Sequence, residues 1–303
     1  MSLAIGALTF GGGVWLLVES VEGLVKTIRG WAGAAGISGI LLSALVLGFD
    51  VESTAAGVAA TLDDLPGTVL GTSIGAAIFL LTVGLGIAGL VAPFSIRTPP
   101  ALLVAAGAGS ALAIELSADG TLSRIDGALL TLSFPPLVAV MLRASQAPAP
   151  AAEGERPDRL ALRIGAGLTG LVVGAELLVF GTQRVVAELG LSEAVFGLLV
   201  VAAAVSFEEV VLEALPAYRG FPELSVGNAL GTLVFLLTAS LGVIVLVRPL
   251  TVPDSVVDYH LPALALSCLL AGGLLARGRV GRPEGTLLLA GYGVYASGAV
   301  ATG

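Results

Sequence analysis

Apolar stretches of membrane-spanning length recur from one end of this 303-residue chain to the other. About 20 residues of helix cross a bilayer, and inside lipid every backbone polar group must be satisfied within the segment. The runs are continuous rather than alternating, which excludes a barrel. With 56% hydrophobic and 12% charged residues and a mean hydropathy of +1.01, the chain has about half the charge expected of a soluble domain. It reads as an all-α, multi-pass protein of the cell membrane whose solvent partner is the lipid bilayer. The first run has no basic region before it and is expected to stay as a helix rather than be cleaved as a signal. Cys268 is the single cysteine, so no internal disulfide forms. A net charge of −8 argues against nucleic acid. Oligomeric state is left open.

Ten spans are expected, at about 3–25, 36–62, 67–94, 99–117 and 123–143, then at about 159–182, 191–218, 224–248, 260–277 and 283–302. Between the fifth and sixth lies a Pro/Ala-rich, charged segment with the chemistry of a linker. The expected units are therefore 1–144, a first five-helix repeat; 145–158, the linker; and 159–303, a second repeat. With the N-terminus outside, eleven basic residues fall in inner loops and only Arg124, Arg184 and Arg248 in outer ones. That bias places both termini outside and the linker in the cytoplasm. Five spans per half make the repeats inverted, an arrangement that puts substrate sites at the midplane where broken helices meet.

The halves also carry matching acids. Gly48-Phe49-Asp50-Val51-Glu52-Ser53 precedes Gly71-Thr72-Ser73-Ile74-Gly75, and Ala204-Val205-Ser206-Phe207-Glu208-Glu209 precedes Gly227-Asn228-Ala229-Leu230-Gly231. An offset of 156 pairs Glu52 with Glu208, Pro66 with Pro222, Gly71 with Gly227, and Phe79-Leu80-Leu81-Thr82 with the identical Phe235-Leu236-Leu237-Thr238. Each carboxylate facing hydrocarbon would cost roughly 2.5–3.5 kcal/mol. Asp50, Glu52, Glu208 and Glu209 must therefore face one another, water or a cation.

Gly190-Leu191-Ser192-Glu193, Ser206-Phe207-Glu208-Glu209 and Gly227-Asn228-Ala229-Leu230-Gly231-Thr232 together resemble an α-repeat of the sodium/calcium exchanger superfamily, and residues 36–94 resemble its partner more distantly. The resemblance implies cation antiport by alternating access. It carries the family's metal-binding glutamate to Glu209 in the second repeat and to Ser53 in the first. Departures are specific. Both copies have glutamate where the family has proline, and the family's serine becomes Asp50 and Ser206. Thr232 and Ala76 stand at a further family position, and Leu80 and Leu236 replace polar ligands.

Carboxylates, hydroxyls and amides suit a hard cation. Asp50, Glu52, Glu208 and Glu209 are the expected metal ligands, with Ser53, Ser206, Asn228 and Thr232 as neutral donors. Asp50 and Glu52 project about 200° apart on a regular helix. Sharing one site requires the chain to unwind at 49–53, and by analogy at 205–209. Crowded acids also favour competition between cation and proton, so Ca²⁺, Na⁺ and H⁺ are the candidate transported ions and no resident cofactor is expected. Glu176 and Thr72 are candidates for an access path. Glu213 falls near an inner helix end and Glu22 is set to pair with Lys26. Gly71 and Gly75 are expected to serve close helix packing. A channel and a non-transporting scaffold remain alternatives. An intramembrane protease lacks its second aspartate, its zinc-binding histidines or a serine–base pair, so the chain reads as a transporter and not an enzyme.

Overall fold

The computed structural model describes residues 2–63, 65–144, 159–189 and 202–302. The expected linker at 145–158 and the Gly190-Leu191-Ser192-Glu193 motif lie outside them. The helices are α1 (Ser2–Ala35), α2 (Gly39–Val46), α3 (Val51–Leu62), α4 (Pro66–Val91), α5 (Pro100–Ser117), α6 (Arg124–Ala144), α7 (Leu160–Leu189), α8 (Ala202–Tyr218), α9 (Pro222–Val247), α10 (Val256–Arg277) and α11 (Arg282–Thr302). Among the described residues, seven helices (α1, α4, α5, α6, α7, α9 and α10) are long and apolar enough to cross a membrane. Their outer faces carry exposed apolar side chains such as Leu8, Val104, Ile125 and Leu269, a surface suited to lipid.

Local sequence sets several boundaries. Pro66 and Pro222 stand at the first positions of α4 and α9, where the missing N–H costs nothing. Gly278, at φ +74, closes α10 in the left-handed conformation that glycine adopts without penalty. The span expected at 36–62 is not one helix: the chain leaves α2 after Val46 and starts α3 at Val51. The span expected around 205–209 behaves differently, because Ser206 to Glu209 lie inside the uninterrupted helix α8. Unwinding is thus observed in one copy of the acidic module and not in the other.

Helices α4 and α9 form the centre. Every residue from Leu224 to Val234 is buried, and the main hydrophobic cluster gathers α4, α9 and the helices around them. A second cluster joins α1 and α7, which pack along their length, to residues of α2 and α8. The halves interlock reciprocally. α2 lies on α9 as α8 lies on α4, and α6 lies on α9 as α11 lies on α4. Four two-residue strands repeat the pattern: β1 (Phe94–Ser95), β2 (Thr121–Leu122), β3 (Leu250–Thr251) and β4 (Arg279–Val280). β1 pairs antiparallel with β4 (Phe94 opposite Val280), and β2 with β3 (Leu122 opposite Leu250). Each pairing ties one half to the other.

Both central helices contain π-helical turns, at Gly71–Gly75 and Leu80–Gly84 in α4 and at Phe235–Ser240 in α9. The duplicated Phe-Leu-Leu-Thr sequence sits there in each copy. Thr82 donates its hydroxyl to the Ile78 carbonyl and Thr238 to that of Val234, both at 2.5 Å. The repeat in sequence is therefore a repeat in local geometry, and π-turns of this kind often mark functional sites.

Candidate cation-binding site

The break between α2 and α3 is organised by Asp50. As the N-cap of α3 it accepts a hydrogen bond from the Ser53 N–H at 2.8 Å, while the Thr54 hydroxyl donates to the Asp50 carbonyl at 3.0 Å. An aspartate at this position satisfies an otherwise orphaned amide and favours the positive end of the helix. Thr54 also meets the Ser240 hydroxyl in the π-turn of α9 at 2.9 Å. The first acidic module is thereby joined to the second half of the chain.

Asp50 is half-buried and Glu52 exposed, while Ser206, Glu208 and Glu209 are half-buried on α8. The acids of the two halves lie close enough to act on one another electrostatically. Glu208 senses Glu52 and Asp50, and Glu209 senses Asp50 and Glu208. Asp50 is the group common to both interactions. Glu176, exposed on α7, acts on Glu52. The four acids do not close into a tight cage. Among the described residues, no three histidine, cysteine or carboxylate side chains are gathered closely enough to hold a metal ion. Uncompensated carboxylates repel, and Asp50 is held back by its bond to Ser53.

Asn228 and Thr232 are buried on α9, with the Thr232 hydroxyl 3.5 Å from the Asn228 amide oxygen. Thr72 is half-buried on α4 and donates its hydroxyl to the Val69 carbonyl at 2.9 Å; among the described residues no hydrogen bond joins it to the acids. Leu80 and Leu236 are fully buried at the π-turns, packed as apolar residues where the resembled family has ligands. The matched glycines divide. Gly227 and Gly231 lie directly on the α2 backbone, where a β-carbon would strike Ile40 or Ala44, but Gly71 and Gly75 have nothing within 4 Å. Close packing, expected at Gly71 and Gly75, belongs instead to their counterparts.

One polar residue escaped the sequence reading: Ser240, which only the tertiary contact with Thr54 reveals. Glu213, expected near an inner helix end, is fully buried on α8, and neither carboxylate oxygen has a hydrogen-bond partner among the described residues. Its spacing of four from Glu209, one face of a helix, was the available signal. Within α1, Glu22 pairs with Lys26 at 3.6 Å, as expected, and it also pairs with Arg219 beyond the end of α8.

The family described as sodium/calcium exchanger protein matches residues 5–143 and 160–300. The fold matches that of the sodium-calcium exchanger NCX_Mj soaked with 100 mM Na⁺ and 10 mM Sr²⁺, with a TM-score of 0.84 over 97% of this chain and 98% of that one, at 22% identity. Inner membrane protein YrbG of Escherichia coli (strain K12) is 32% identical over 123 residues. CaxA of Alkalimonas amylolytica, which carries a provisional antiporter assignment, is 31% identical over 129. Those matches cover 41% and 43% of this chain and only 38% and 40% of the two relatives. Membrane protein MJ0091 of Methanocaldococcus jannaschii is 27% identical over 236 residues, 75% of each chain.

Proposed function

Because the chain belongs to the sodium/calcium exchanger protein family, we propose that it is a secondary active cation antiporter, exchanging Ca²⁺ or another cation for Na⁺ or H⁺ by alternating access. The transport unit is two inverted five-helix repeats, 1–144 and 159–303, giving ten spans with both termini outside and the 145–158 linker in the cytoplasm. The reciprocal packing of the halves supports this layout, as does the positive-inside charge bias.

One observation carries the reading. Acids from opposite halves, Asp50 and Glu52 on one side and Glu208 and Glu209 on the other, act on one another across α3 and α8. A cation entering between them cancels their repulsion and draws them together, with Ser53, Ser206, Asn228 and Thr232 supplying neutral oxygens. Leaving the site empty restores the repulsion, so a counter-ion, Na⁺ or H⁺, must take the cation's place before the protein resets. Glu176 lines the approach to Glu52. Exchange across imposed Na⁺ and pH gradients in proteoliposomes tests this, and uptake unchanged by both Glu208→Gln and Glu209→Gln refutes the site.

The buried leucines at 80 and 236 favour a second reading, a non-transporting scaffold with a structural acidic cluster. Calorimetric titration of the purified protein with Ca²⁺ separates the two, since a scaffold binds none.

A further inference from the structure

Below the cation site, α8 carries a carboxylate that the exchange reaction as described leaves unused. Glu213 is 0% exposed and its two oxygens touch no hydrogen-bond donor among the described residues. The carboxylate is fitted against Gly84, the last residue of the second π-turn in α4, where a β-carbon would occupy the position of Oε2. Glycine at this point leaves room for the acid, and the π-turn shapes the wall it rests on.

The surroundings define what Glu213 holds. α8 packs against α1, α4, α7 and α9. α4 has no ionisable residue, and α9 has only Glu223 at its first turn. α1 carries Glu19, Glu22, Lys26 and Arg29; Glu22 pairs with both Lys26 and Arg219, and Arg29 lies over the Phe221 ring. α7 contributes Arg163, Glu176, Arg184 and Glu188. Among the described residues none of these acts on Glu213; the group that does is Glu209, on the same helix, and no basic side chain there neutralises the carboxylate. A metal ion needs several oxygens around it, and among the described residues no three carboxylate, histidine or cysteine side chains gather to hold one. A proton needs only the carboxylate itself.

We propose that Glu213 is a proton-binding site of this transporter, set one helical turn from the cation site and occupied when that site is empty. The inference rests on the antiport reading above and names its counter-ion. Residues four apart on a helix are neighbours. With no cation present and no donor or base beside it, a negative Glu213 is opposed by its burial, so its oxygen takes a proton as a neutral carboxylic acid. A divalent cation at Glu209 reverses the sign of the local field, and the O–H bond breaks to release that proton to water. Exchange of cation for proton follows without direct contact between the two.

Infrared spectroscopy and transport test this on the full-length protein. At neutral pH the wild type minus Glu213→Gln difference spectrum should show the carbonyl stretch of a buried protonated carboxyl, lost on adding Ca²⁺ to the wild type. In proteoliposomes Glu213→Gln should keep Ca²⁺/Ca²⁺ counterflow within about twofold and lose pH-gradient-driven Ca²⁺ uptake about tenfold. Glu213→Asp should retain the band, shifted, and part of the pH-driven flux, which guards against a misfolded glutamine variant. A band unchanged in Glu213→Gln overturns the proposal, as does wild-type pH-driven uptake in that variant. If the wild type moves no Ca²⁺ by either route, the antiport reading fails on its own, and the presence or absence of the band still decides whether Glu213 holds a proton.

Discussion

In the second half of the chain, Glu208 and Glu209 stand inside an unbroken helix, half-buried, with α9 buried behind them. In the first half, Asp50 caps a helix that restarts after a break, and Glu52 is exposed. Related sequences thus present their acids in two ways, one within a continuous helix and half-buried, the other at a helix break with Glu52 exposed. The glycine pairs follow the same division, with Gly227 and Gly231 pressed on α2 and Gly71 and Gly75 free. Even the acid one turn further on is one-sided. At the offset of 156, Glu213 corresponds to Gly57 and Gly84 to Ser240. Duplication set the scaffold, and divergence left the two copies with differently placed acids and glycines.

The glycines offer the largest contrast. Gly231→Ala drives a methyl into the Ala44 backbone and should cost about 3 kcal/mol, the upper part of the overpacking range. Gly75→Ala meets open space and should change stability by less than about 1 kcal/mol, in the stabilising direction given alanine's helix propensity. Thermal unfolding in detergent measures both, and equal losses would erase the distinction between the copies.

Charge removal comes next. Glu209→Gln should weaken Ca²⁺ binding at least about tenfold, near 1.4 kcal/mol, and more than Glu52→Gln, because an ion pair is stronger where water is excluded. Isothermal titration ranks the two, and a reversed order would place the stronger ligand in the first half.

Asp50 separates capping from charge. Asp50→Ala should lose about 1 kcal/mol of stability through the missing cap, whereas Asp50→Asn should keep the cap and lose only cation affinity. Melting and titration on the same samples distinguish these effects. The smallest expected effect is at the hydroxyl pair. Thr54→Val and Ser240→Ala should each cost about 1 kcal/mol, and the double variant should cost less than their sum. Strict additivity would show that the link between α3 and α9 does not hold the halves together.

Much of this was legible in advance. Continuous apolar runs dictate membrane helices, because unsatisfied backbone groups in lipid leave few alternatives. The offset repeat pointed to a duplicated chain, and the identical Phe-Leu-Leu-Thr sequences do sit at π-turns in both halves. Intramembrane acids announced a site because their burial is costly without a partner. Other features lay beyond the reach of pattern. Both acidic modules were expected to unwind, yet only the copy with Asp50 at a capping position does so.

Residue order alone determined that this protein lives in a membrane, that it is built twice over, and which carboxylates its function must account for. Those properties depend on hydrophobicity and spacing, which are local. Tertiary structure decided which glycines bear helix contacts, that Ser240 meets Thr54, and that Glu213 is sealed against Gly84 with only Glu209 to sense it. Such outcomes depend on which surfaces come to face each other once the halves interlock, and that is a property of the whole packed chain rather than of any segment within it.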